Sequence, residues 1–331
     1  MLNNSFLKNI LSSRNFTINF PLNYVIPVYH CVSDEYLPHL KHVIDYKNES
    51  DFEKDLDFLA SKFTFVDWDF FKNNYLKKHK KPIALLTFDD GLIEFKDVVV
   101  PILKRKGIYA INFVNPAFVG TNEMMFRFQA SILIDSIKKN SGEIPNSLFK
   151  ILNSEEKSTE ELIKLIKGIT YQNKDILQKL AKELAIDFED YIEKNKIYMN
   201  LADLKSVQSD GFGIAAHSWD HPKFQNLSVH LQLENAVKSI HFMQENNFIE
   251  DCFAFPFTDF GVSAEFFERL QQENTDFKLS FGTAGLKIDS ISQNLQRIPM
   301  ENNTSAKSEI NFETNYFFLK KFFNKNILKR A

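Results

Sequence analysis

Two short apolar segments of the chain each run directly into a cluster of side chains that commonly bind metal ions. Residues 82–86 lead into Thr87-Phe88-Asp89-Asp90-Gly91, and residues 210–216 lead into His217-Ser218-Trp219-Asp220-His221. Short apolar runs bounded by turn residues are typical of strands that are buried on both faces of a parallel sheet. The pattern predicts an α/β fold with acidic and histidine side chains at the carboxyl ends of strands, where such folds collect catalytic residues.

The two clusters together offer the ligands of a hydrolytic metal site. One carboxylate of the Asp-Asp pair, two imidazoles and a water form the open coordination shell of such a site. The second carboxylate of the pair is then available as a base. Each cluster alone has a simpler interpretation. An Asp-Asp pair before glycine is commonly a turn or a helix cap, and two histidines four residues apart more often lie on a helix face or in a packed loop. Their joint occurrence after buried strands favours the metal site.

The same segments resemble the first two motifs of the polysaccharide deacetylase family, the NodB-homology carbohydrate esterases. Further segments resemble the family in type and in order along the chain. Residues 27–30 are similar to the first strand of the family, and residues 101–110 are similar to the helix and strand that follow the first motif. Residues 253–257 resemble the third motif and 295–299 the fifth. The resemblance covers roughly residues 25–120 and 200–300.

The resemblance implies a distorted (β/α) barrel of NodB type that removes an acetyl group from an acetylated sugar or polysaccharide, with N-acetyl favoured over O-acetyl. The implied ligands of one divalent ion, most often Zn²⁺, are Asp90, His217 and His221. Asp89 is the implied general base for the water that attacks the acetyl carbonyl at the ion. The third-motif residues expected at the substrate are Phe255, Pro256 and Phe257.

Two positions depart from the family pattern. The third motif usually begins with an arginine that orients the base, and here Ala254 stands in its place. The fifth motif usually carries a histidine that acts as general acid, and here Arg297 occupies that position. An arginine remains protonated at neutral pH and is a poor proton donor. Two roles are open for Arg297, binding an anionic group of the substrate or orienting Asp89.

His30 is the candidate replacement for the missing acid, because the strand that it follows is expected to end at the same mouth of the barrel. The alternative is a core histidine that bonds only to the backbone. Two other functions therefore remain open. The first is a catalytically degenerate relative that binds carbohydrate, and the second is a metal-dependent amidase acting on a small non-sugar amide.

Composition is compatible with an enzyme and argues against some other classes. The chain has 331 residues, of which 44% are hydrophobic, and its net charge of −3 argues against a general nucleic-acid binder. Only Cys31 and Cys252 are present, so no disulfide framework is expected. Residues 1–21 lack the continuous apolar core of a signal peptide, which predicts a cytoplasmic protein that is either free or peripheral to the membrane.

The predicted organisation divides the chain into five parts. These are an N-terminal extension (1–24), two halves of the barrel (25–120 and 201–310), a helical insertion between them (121–200) and a basic amphipathic C-terminal helix (311–331). The insertion either shapes the substrate groove or a partner surface, or only covers the barrel rim. The C-terminal segment has an apolar stripe among lysines, formed by Leu319, Phe322, Phe323 and Ile327. This stripe favours a helix packed on the barrel, and contact with an anionic membrane surface is the alternative.

Overall fold

The computed structural model describes residues 11–12, 20–140 and 144–330, so most of the predicted N-terminal extension lies outside the described residues. The strands are short and are interspersed with helices along the chain. In chain order they are β1 (Tyr24–Val25), β2 (Pro27–Tyr29), β3 (Thr64–Phe65), β4 (Ile83–Ala84), β5 (Leu86–Asp89), β6 (Ala110–Val114), β7 (Gly213–Ala216), β8 (Cys252–Ala254), β9 (Leu279–Gly282), β10 (Ile288–Asp289), β11 (Asn294–Gln296), β12 (Ile298–Pro299) and β13 (Ile327–Leu328).

Eight of these strands form one parallel sheet in the order β11-β9-β8-β7-β6-β5-β2-β12. Its two outermost strands, β11 and β12, are consecutive in the chain and are separated only by Arg297. The backbone N–H of Arg297 donates to the carbonyl of Gly282 in β9 (3.0 Å), and the N–H of Ile298 donates to the carbonyl of Ile26 before β2 (2.9 Å). One stretch of chain thus joins both edges, and the sheet nearly closes on itself. The predicted distorted (β/α) barrel is confirmed.

Helices surround the sheet and fill the long connections between its strands. In chain order they are α1 (Glu49–Lys62), α2 (Trp68–Asn74), α3 (Val100–Lys106), α4 (Phe126–Lys139), α5 (Asn146–Ile151), α6 (Thr159–Gly168), α7 (Ile176–Glu183), α8 (Phe188–Asn195), α9 (Leu201–Ser209), α10 (Val229–Glu245), α11 (Ala264–Glu273) and α12 (Ala306–Phe322). Two small sheets, β1-β4-β3 and β10-β13, lie beside the barrel.

Side-chain alternation along the strands sorts residues into the barrel interior and the layer under the helices. The rings of Phe113 in β6 and Phe281 in β9 lie 5.5 Å apart, although two strands separate β6 from β9 in the sheet. Their contact therefore crosses the interior. Leu85, directly before β5, packs in the same apolar cluster as Phe113 and Phe281, and alternation places Thr87 and Asp89 on the same side of the strand as Leu85. The strand thus directs Asp89 inward, at its carboxyl end.

The chain between β6 and β7 is helical in its described part and has an apolar core of its own. Helices α4 to α8 contribute most of this second cluster, which includes Leu133, Leu148, Leu162, Leu177 and Leu180. Cys31, Leu92 and Trp219 belong to the same cluster. These three residues follow β2, β5 and β7, so the helices pack on the loops that carry the site motifs.

The C-terminal segment differs from the predicted single helix over 311–331. Helix α12 begins earlier, after the N-cap Ser305, whose side chain accepts a hydrogen bond from the N–H of Ser308, and it ends at Phe322. Ile327 lies on β13, which pairs with β10, and is therefore not part of a helical stripe. Arg330 then forms ion pairs with the buried carboxylates of Asp259 and Asp289.

One face of α12 packs on the protein and another is left open. Ile310 and Phe317 are buried, whereas Leu319, Phe322 and Phe323 are 39%, 80% and 60% exposed. None of the described helices is both long and apolar enough to cross a membrane.

Candidate functional site

The loop after β5 places its carboxylate by means of an unusual backbone conformation. Asp90 directly follows the strand with φ 75°, and Gly91 continues in the same left-handed region with φ 69°. His221 also has a left-handed backbone, with φ 61°. Non-glycine residues rarely adopt this region, and where they do, the surrounding structure has to hold them there. Two of the three predicted ligands therefore sit on strained backbone, as is common at functional sites.

The three residues predicted as metal ligands come together at the carboxyl end of the barrel. Asp90, His217 and His221 each offer a ligand atom, and these atoms lie within 4.8 Å of one another. The Nε2 atoms of His217 and His221 lie 3.5 and 3.4 Å from Oδ1 of Asp90. All three side chains are buried. Ligands about 2.0–2.1 Å from a tetrahedral ion are separated by roughly 3.3–3.4 Å, so the observed spacing fits a shared ion.

The hydrogen bonds around these residues also fit a bound cation. Among the described residues, Oδ1 of Asp90 has no hydrogen-bond partner although it is fully buried. A buried oxygen of this kind normally has one, so a ligand is expected there. His217 donates from Nδ1 to the carbonyl oxygen of Ala254 (2.9 Å). This bond fixes the tautomer and leaves the lone pair of Nε2 directed at Asp90, as metal-binding histidines require.

Burial keeps both imidazoles neutral. It lowers the pKa of His217 to about 4 and holds the pKa of His221 well below its ordinary value. A neutral imidazole is the form that binds a metal ion, because the ligating nitrogen must carry a lone pair. Both side chains are thus ready to act as ligands at neutral pH.

Asp89 is held beside the three ligand-type residues by a buried arginine. Arg297 donates from Nη1 to Oδ1 of Asp89 (2.6 Å) and from Nη2 to Oδ2 (2.7 Å). Burial alone would raise the pKa of Asp89, but the charge of Arg297 outweighs it and lowers the pKa to about 2. Oδ2 of Asp89 also lies 3.6 Å from Nε2 of His217. The side chain is therefore an ionised carboxylate in a fixed orientation at the candidate metal centre.

The geometry decides between the two roles that the sequence left open for Arg297. Its side chain is 0% exposed, its terminal nitrogens are committed to Asp89, and its guanidinium lies 5.5 Å from the ring centroid of Phe113 in the barrel interior. It has no path to a ligand outside the barrel. This arrangement favours the role in which Arg297 orients Asp89 over the role in which it binds an anionic group of a substrate.

His30 faces the same cavity and is paired with a carboxylate that the sequence did not suggest. Its Nδ1 donates to Oε2 of Glu301 (2.7 Å), while the N–H of Cys31 donates to Oε1 (2.9 Å). Burial would lower the pKa of His30, but the charge of Glu301 and this hydrogen bond raise it to about 9. The side chain is 28% exposed. The raised pKa favours the imidazolium form at neutral pH, and among the described residues Nε2 has no hydrogen-bond partner.

The cavity at the mouth of the barrel has a volume of about 430 Å³ and extends from Asp90 and His221 toward the inserted helices. The residues that line it are His30, His42, Val43, Ile44, Asp90, Met125, Arg127, Lys167, His221 and Phe257. This volume is in the range of small-ligand pockets. Met125, Arg127 and Lys167 all come from the chain between β6 and β7, so the helical insertion forms part of the cavity wall.

The three third-motif residues do not share one role. Phe257 lines the cavity, and its ring lies 4.4 Å from the ring of His221. Phe255 is 0% exposed and packs against Phe224 and Phe266 in the core, so the prediction that it contacts substrate is wrong. The reason is strand alternation, since Ala254 faces the interior and its neighbour Phe255 must face the helices. Pro256 is buried and does not line the cavity.

Sequence reasoning missed Glu301, His42, Arg127 and Lys167. Glu301 is 271 residues from His30 along the chain, so no local pattern connects them. His42 lies in a turn, with Nε2 3.1 Å from Oδ1 of Asp135. Arg127 and Lys167 belong to helices whose periodic pattern shows only which face is apolar. One feature of the sequence could have indicated that Arg127 and Lys167 lie at the site: the inserted helices that carry them stand between the two site motifs.

A parallel barrel with one carboxylate and two histidines converging at its carboxyl end has the architecture of an α/β-barrel hydrolase with a metal centre. Comparison with known families gives a more specific assignment. Residues 76–261 match the model of the polysaccharide deacetylase family. The chain belongs to the polysaccharide deacetylase family. No curated protein sequence matches it significantly.

Solved structures of deacetylases share the fold at low sequence identity. IcaB from Ammonifex degensii is 14% identical, with a TM-score of 0.54 over 90% of this chain and 100% of that one. The deacetylase PplD from Streptococcus pyogenes, solved with acetate, is 17% identical, with a TM-score of 0.51 over 86% and 95%. A de-N-acetylase from Aggregatibacter actinomycetemcomitans is 12% identical, with a TM-score of 0.52 over 87% and 99%. These similarities show the common fold.

Proposed function

We propose that this protein is a metal-dependent deacetylase that hydrolyses the N-acetyl group of an acetylated sugar or polysaccharide. The observation that carries the proposal is the convergence of Asp90, His217 and His221 beside Asp89, which Arg297 keeps ionised. Membership of the deacetylase family supports the reaction type. Asp90, His217 and His221 are the proposed ligands of one divalent ion, and Zn²⁺ suits their two nitrogens and one oxygen.

When bound, the ion would polarise the acetyl carbonyl and lower the pKa of a water ligand to about 7. Asp89 then acts as the base and accepts a proton as the water oxygen bonds to the acetyl carbon. Its low pKa keeps it available as a carboxylate at every pH where the protein would work. Arg297 fixes both carboxylate oxygens, so Asp89 does not have to reorient during the reaction.

The second proton transfer is assigned to His30. As the bond between the acetyl carbon and the sugar nitrogen breaks, the nitrogen needs a proton in order to leave as an amine. The imidazolium of His30 supplies that proton from Nε2, while Glu301 holds Nδ1 and stabilises the charged form. The products are acetate and the free amino sugar. A charged His30 also argues against the alternative of a relative that has lost its acid and only binds carbohydrate.

Release of acetate tests the proposal directly. The purified protein, loaded with Zn²⁺, is incubated with acetylated chito-oligomers and with a simple acetyl ester, with and without a chelator. Acetate is expected from the oligomers and is expected to disappear on chelation. Asp89→Asn is expected to abolish most of the release, whereas Asp276→Asn, which removes a carboxylate on the exposed surface, serves as the matched control.

Other results would separate the alternatives. Binding of the oligomers without release of acetate would favour the carbohydrate-binding relative. Hydrolysis of small amides with no activity on any sugar would favour the amidase. Release of acetate that persists after complete removal of the metal would contradict the proposal.

A further inference from the structure

The wall of the catalytic cavity carries two cations without carboxylate partners. Among the described residues, neither Arg127 nor Lys167 lies within ion-pair distance of an aspartate or glutamate. The other basic groups of the cavity are different, since His30 is paired with Glu301 and His42 with Asp135. Within the part of the chain that the structure describes, Asp90 is the only carboxylate in the cavity wall, and it is assigned to the metal ion. The two free cations thus form an anion-attracting side of the cavity.

Arg127 is held rigidly in this position. Its Nη1 donates to the carbonyl oxygen of Lys167 (2.7 Å), and its guanidinium lies 5.5 Å and 5.9 Å from the ring centroids of Phe126 and Phe257. A guanidinium has five N–H donors, of which this arrangement uses one. The side chain is also half-buried, and burial lowers its pKa. A desolvated guanidinium with free donors is well suited to a planar or tetrahedral oxyanion.

We infer that Arg127, with Lys167, binds an anionic group of the substrate, so that the preferred acetylated sugar carries a carboxylate or a phosphate. This inference rests on the proposed function for the reaction at the metal ion, but it concerns a separate part of the cavity. Phe257 links the two parts, because its ring contacts both the His221 ring and the guanidinium of Arg127. The anion would therefore lie on one side of Phe257 and the acetyl group on the other.

Binding measurements test the inference without requiring turnover. Isothermal titration of the Zn²⁺-loaded protein compares N-acetylglucosamine with N-acetylglucosamine 6-phosphate and with N-acetylmuramic acid, which carries a carboxylate. At least one anionic sugar is expected to bind about tenfold more tightly than the neutral sugar, the gain typical of one charge-assisted hydrogen-bond pair. Arg127→Gln is expected to remove this preference, and Lys167→Ala to reduce it. Arg105→Gln, at an exposed arginine paired with Glu53, is the matched control.

Kinetics then separate this inference from the proposed function. If acetate is released, Arg127→Gln is expected to raise KM for the anionic sugar about tenfold more than it raises KM for N-acetylglucosamine, whereas Arg105→Gln is expected to change neither value. Equal affinity for neutral and anionic sugars, or a preference that survives Arg127→Gln, would overturn the inference even if deacetylation is confirmed. Tighter binding of anionic sugars without acetate release would instead support the anion site and count against the proposed reaction.

A second surface feature lies outside the cavity, at the C-terminal end of the protein. Large apolar side chains are exposed there on α12, β13 and the neighbouring β10, and we call this group the C-terminal patch: Leu319, Phe322, Phe323, Ile327 and Ile288. Phe322 is 80% exposed. Lysines surround the patch at positions 287, 320, 321, 325 and 329, and residues 314–331 contain no aspartate or glutamate.

The nearby acidic groups offset only part of this charge. Asp289 is buried and paired with Arg330, and Glu313, whose charge acts on Lys320 and Lys287, is one carboxylate against five lysines. Lys320 lies beside Lys287, and burial together with this like charge lowers the pKa of Lys320 to about 8. Exposed aromatic side chains beside an excess of lysines over carboxylates match the interface of an anionic lipid bilayer in both polarity and charge. We propose that the C-terminal patch binds the surface of such a bilayer.

Co-sedimentation with lipid vesicles tests this second proposal. The protein is expected to bind vesicles that contain phosphatidylglycerol, to bind pure phosphatidylcholine weakly, and to dissociate as salt rises. The variant Phe322→Ser with Phe323→Ser is expected to lose binding, whereas Leu76→Ser, at a leucine that is 73% exposed on another surface, is expected to keep it. Equal binding to both kinds of vesicle would overturn the proposal. So would a wild-type dimer that becomes monomeric in the double variant, because the patch would then join two copies of the chain.

Discussion

Replacing Arg297 by methionine tests whether the ion pair with Asp89 stabilises both the fold and the base. The two side chains are 0% and 2% exposed, and both carboxylate oxygens are bound by the guanidinium. In the wild-type protein the pKa of Asp89 falls from an ordinary value of 3.8 to about 2. A shift of this size corresponds to about 2 kcal/mol of stability, and leaving a buried charge without its partner costs about 3–5 kcal/mol.

The sign of the pH dependence distinguishes this mechanism from a simple loss of packing. In the wild type, the contribution of Asp89 is fully present above about pH 4 and is lost as the pH falls toward 2. In Arg297→Met, burial without a counter-charge raises the pKa of Asp89. The variant then carries its penalty at high pH and is relieved of it as the pH falls through the raised pKa. The difference in stability between the two proteins is expected to be largest at pH 8 and smaller at pH 5.

Urea unfolding followed by intrinsic fluorescence measures this difference. The unfolding is carried out with a chelator present, so that a bound ion does not contribute. Adding Asp89→Asn to Arg297→Met is expected to restore most of the lost stability, because the unpaired charge is then gone. Arg105→Met, at an exposed ion pair, is expected to change the free energy of unfolding by less than about 0.5 kcal/mol. An equal loss at pH 5 and pH 8, or no rescue by Asp89→Asn, would refute the reasoning.

Four further predictions concern the residues of the site. His217→Ala is expected to remove most of the bound divalent ion, and wild-type metal content by elemental analysis would contradict its role as a ligand. Asp89→Asn is expected to keep most of the ion and to lower the rate of acetate release by about a hundredfold or more, and the opposite pattern, with Asp90→Asn keeping the ion, would exchange the two roles. His30→Ala is expected to reduce amide hydrolysis much more than ester hydrolysis, because an alcohol leaves more easily than an amine without a proton. Glu301→Gln removes the charge that raises the pKa of His30, so its amide activity is expected to fall at pH 8 and to recover at pH 6, and an unchanged pH profile would exclude this role for Glu301.

Local sequence patterns predicted buried strands with acidic and histidine residues at their carboxyl ends, and the family resemblance added the barrel and the choice of Asp90, rather than Asp89, as a ligand. A short apolar run that ends in acidic or histidine residues indicates a buried strand and the position of its carboxyl end. Parallel strands bring these ends together at one edge of the sheet. The same patterns carry no information on pairs that are distant along the chain. Arg297 is 208 residues from Asp89, so the sequence could offer only alternatives for its role.

The predictions for Phe255 and for the C-terminal helix were wrong for different reasons. The first ignored the alternation of side chains along a strand, and the second depended on tertiary packing. Alternation along β8 directs Ala254 inward and Phe255 outward, which the motif resemblance alone did not show. The last helix ends at Phe322 because the chain after it pairs as a strand with β10, and no helical periodicity could reveal that pairing. The contribution of Arg127 to the cavity depends on how the inserted helices pack on the barrel loops, which apolar spacing does not determine.

The position of Arg297 between β11 and β12 makes the ionisation of Asp89, the proposed base, depend on closure of the sheet. The residue that keeps the base ionised is carried by the stretch that joins the first and last edges of the barrel. Before the stretch with Arg297 has docked, Asp89 lacks its counter-charge. Burial then raises the pKa of Asp89 and favours the protonated carboxyl group. During synthesis, this cation emerges more than 200 residues after the base that it serves. A barrel that has not closed therefore lacks the ionised Asp89 that the proposed reaction requires.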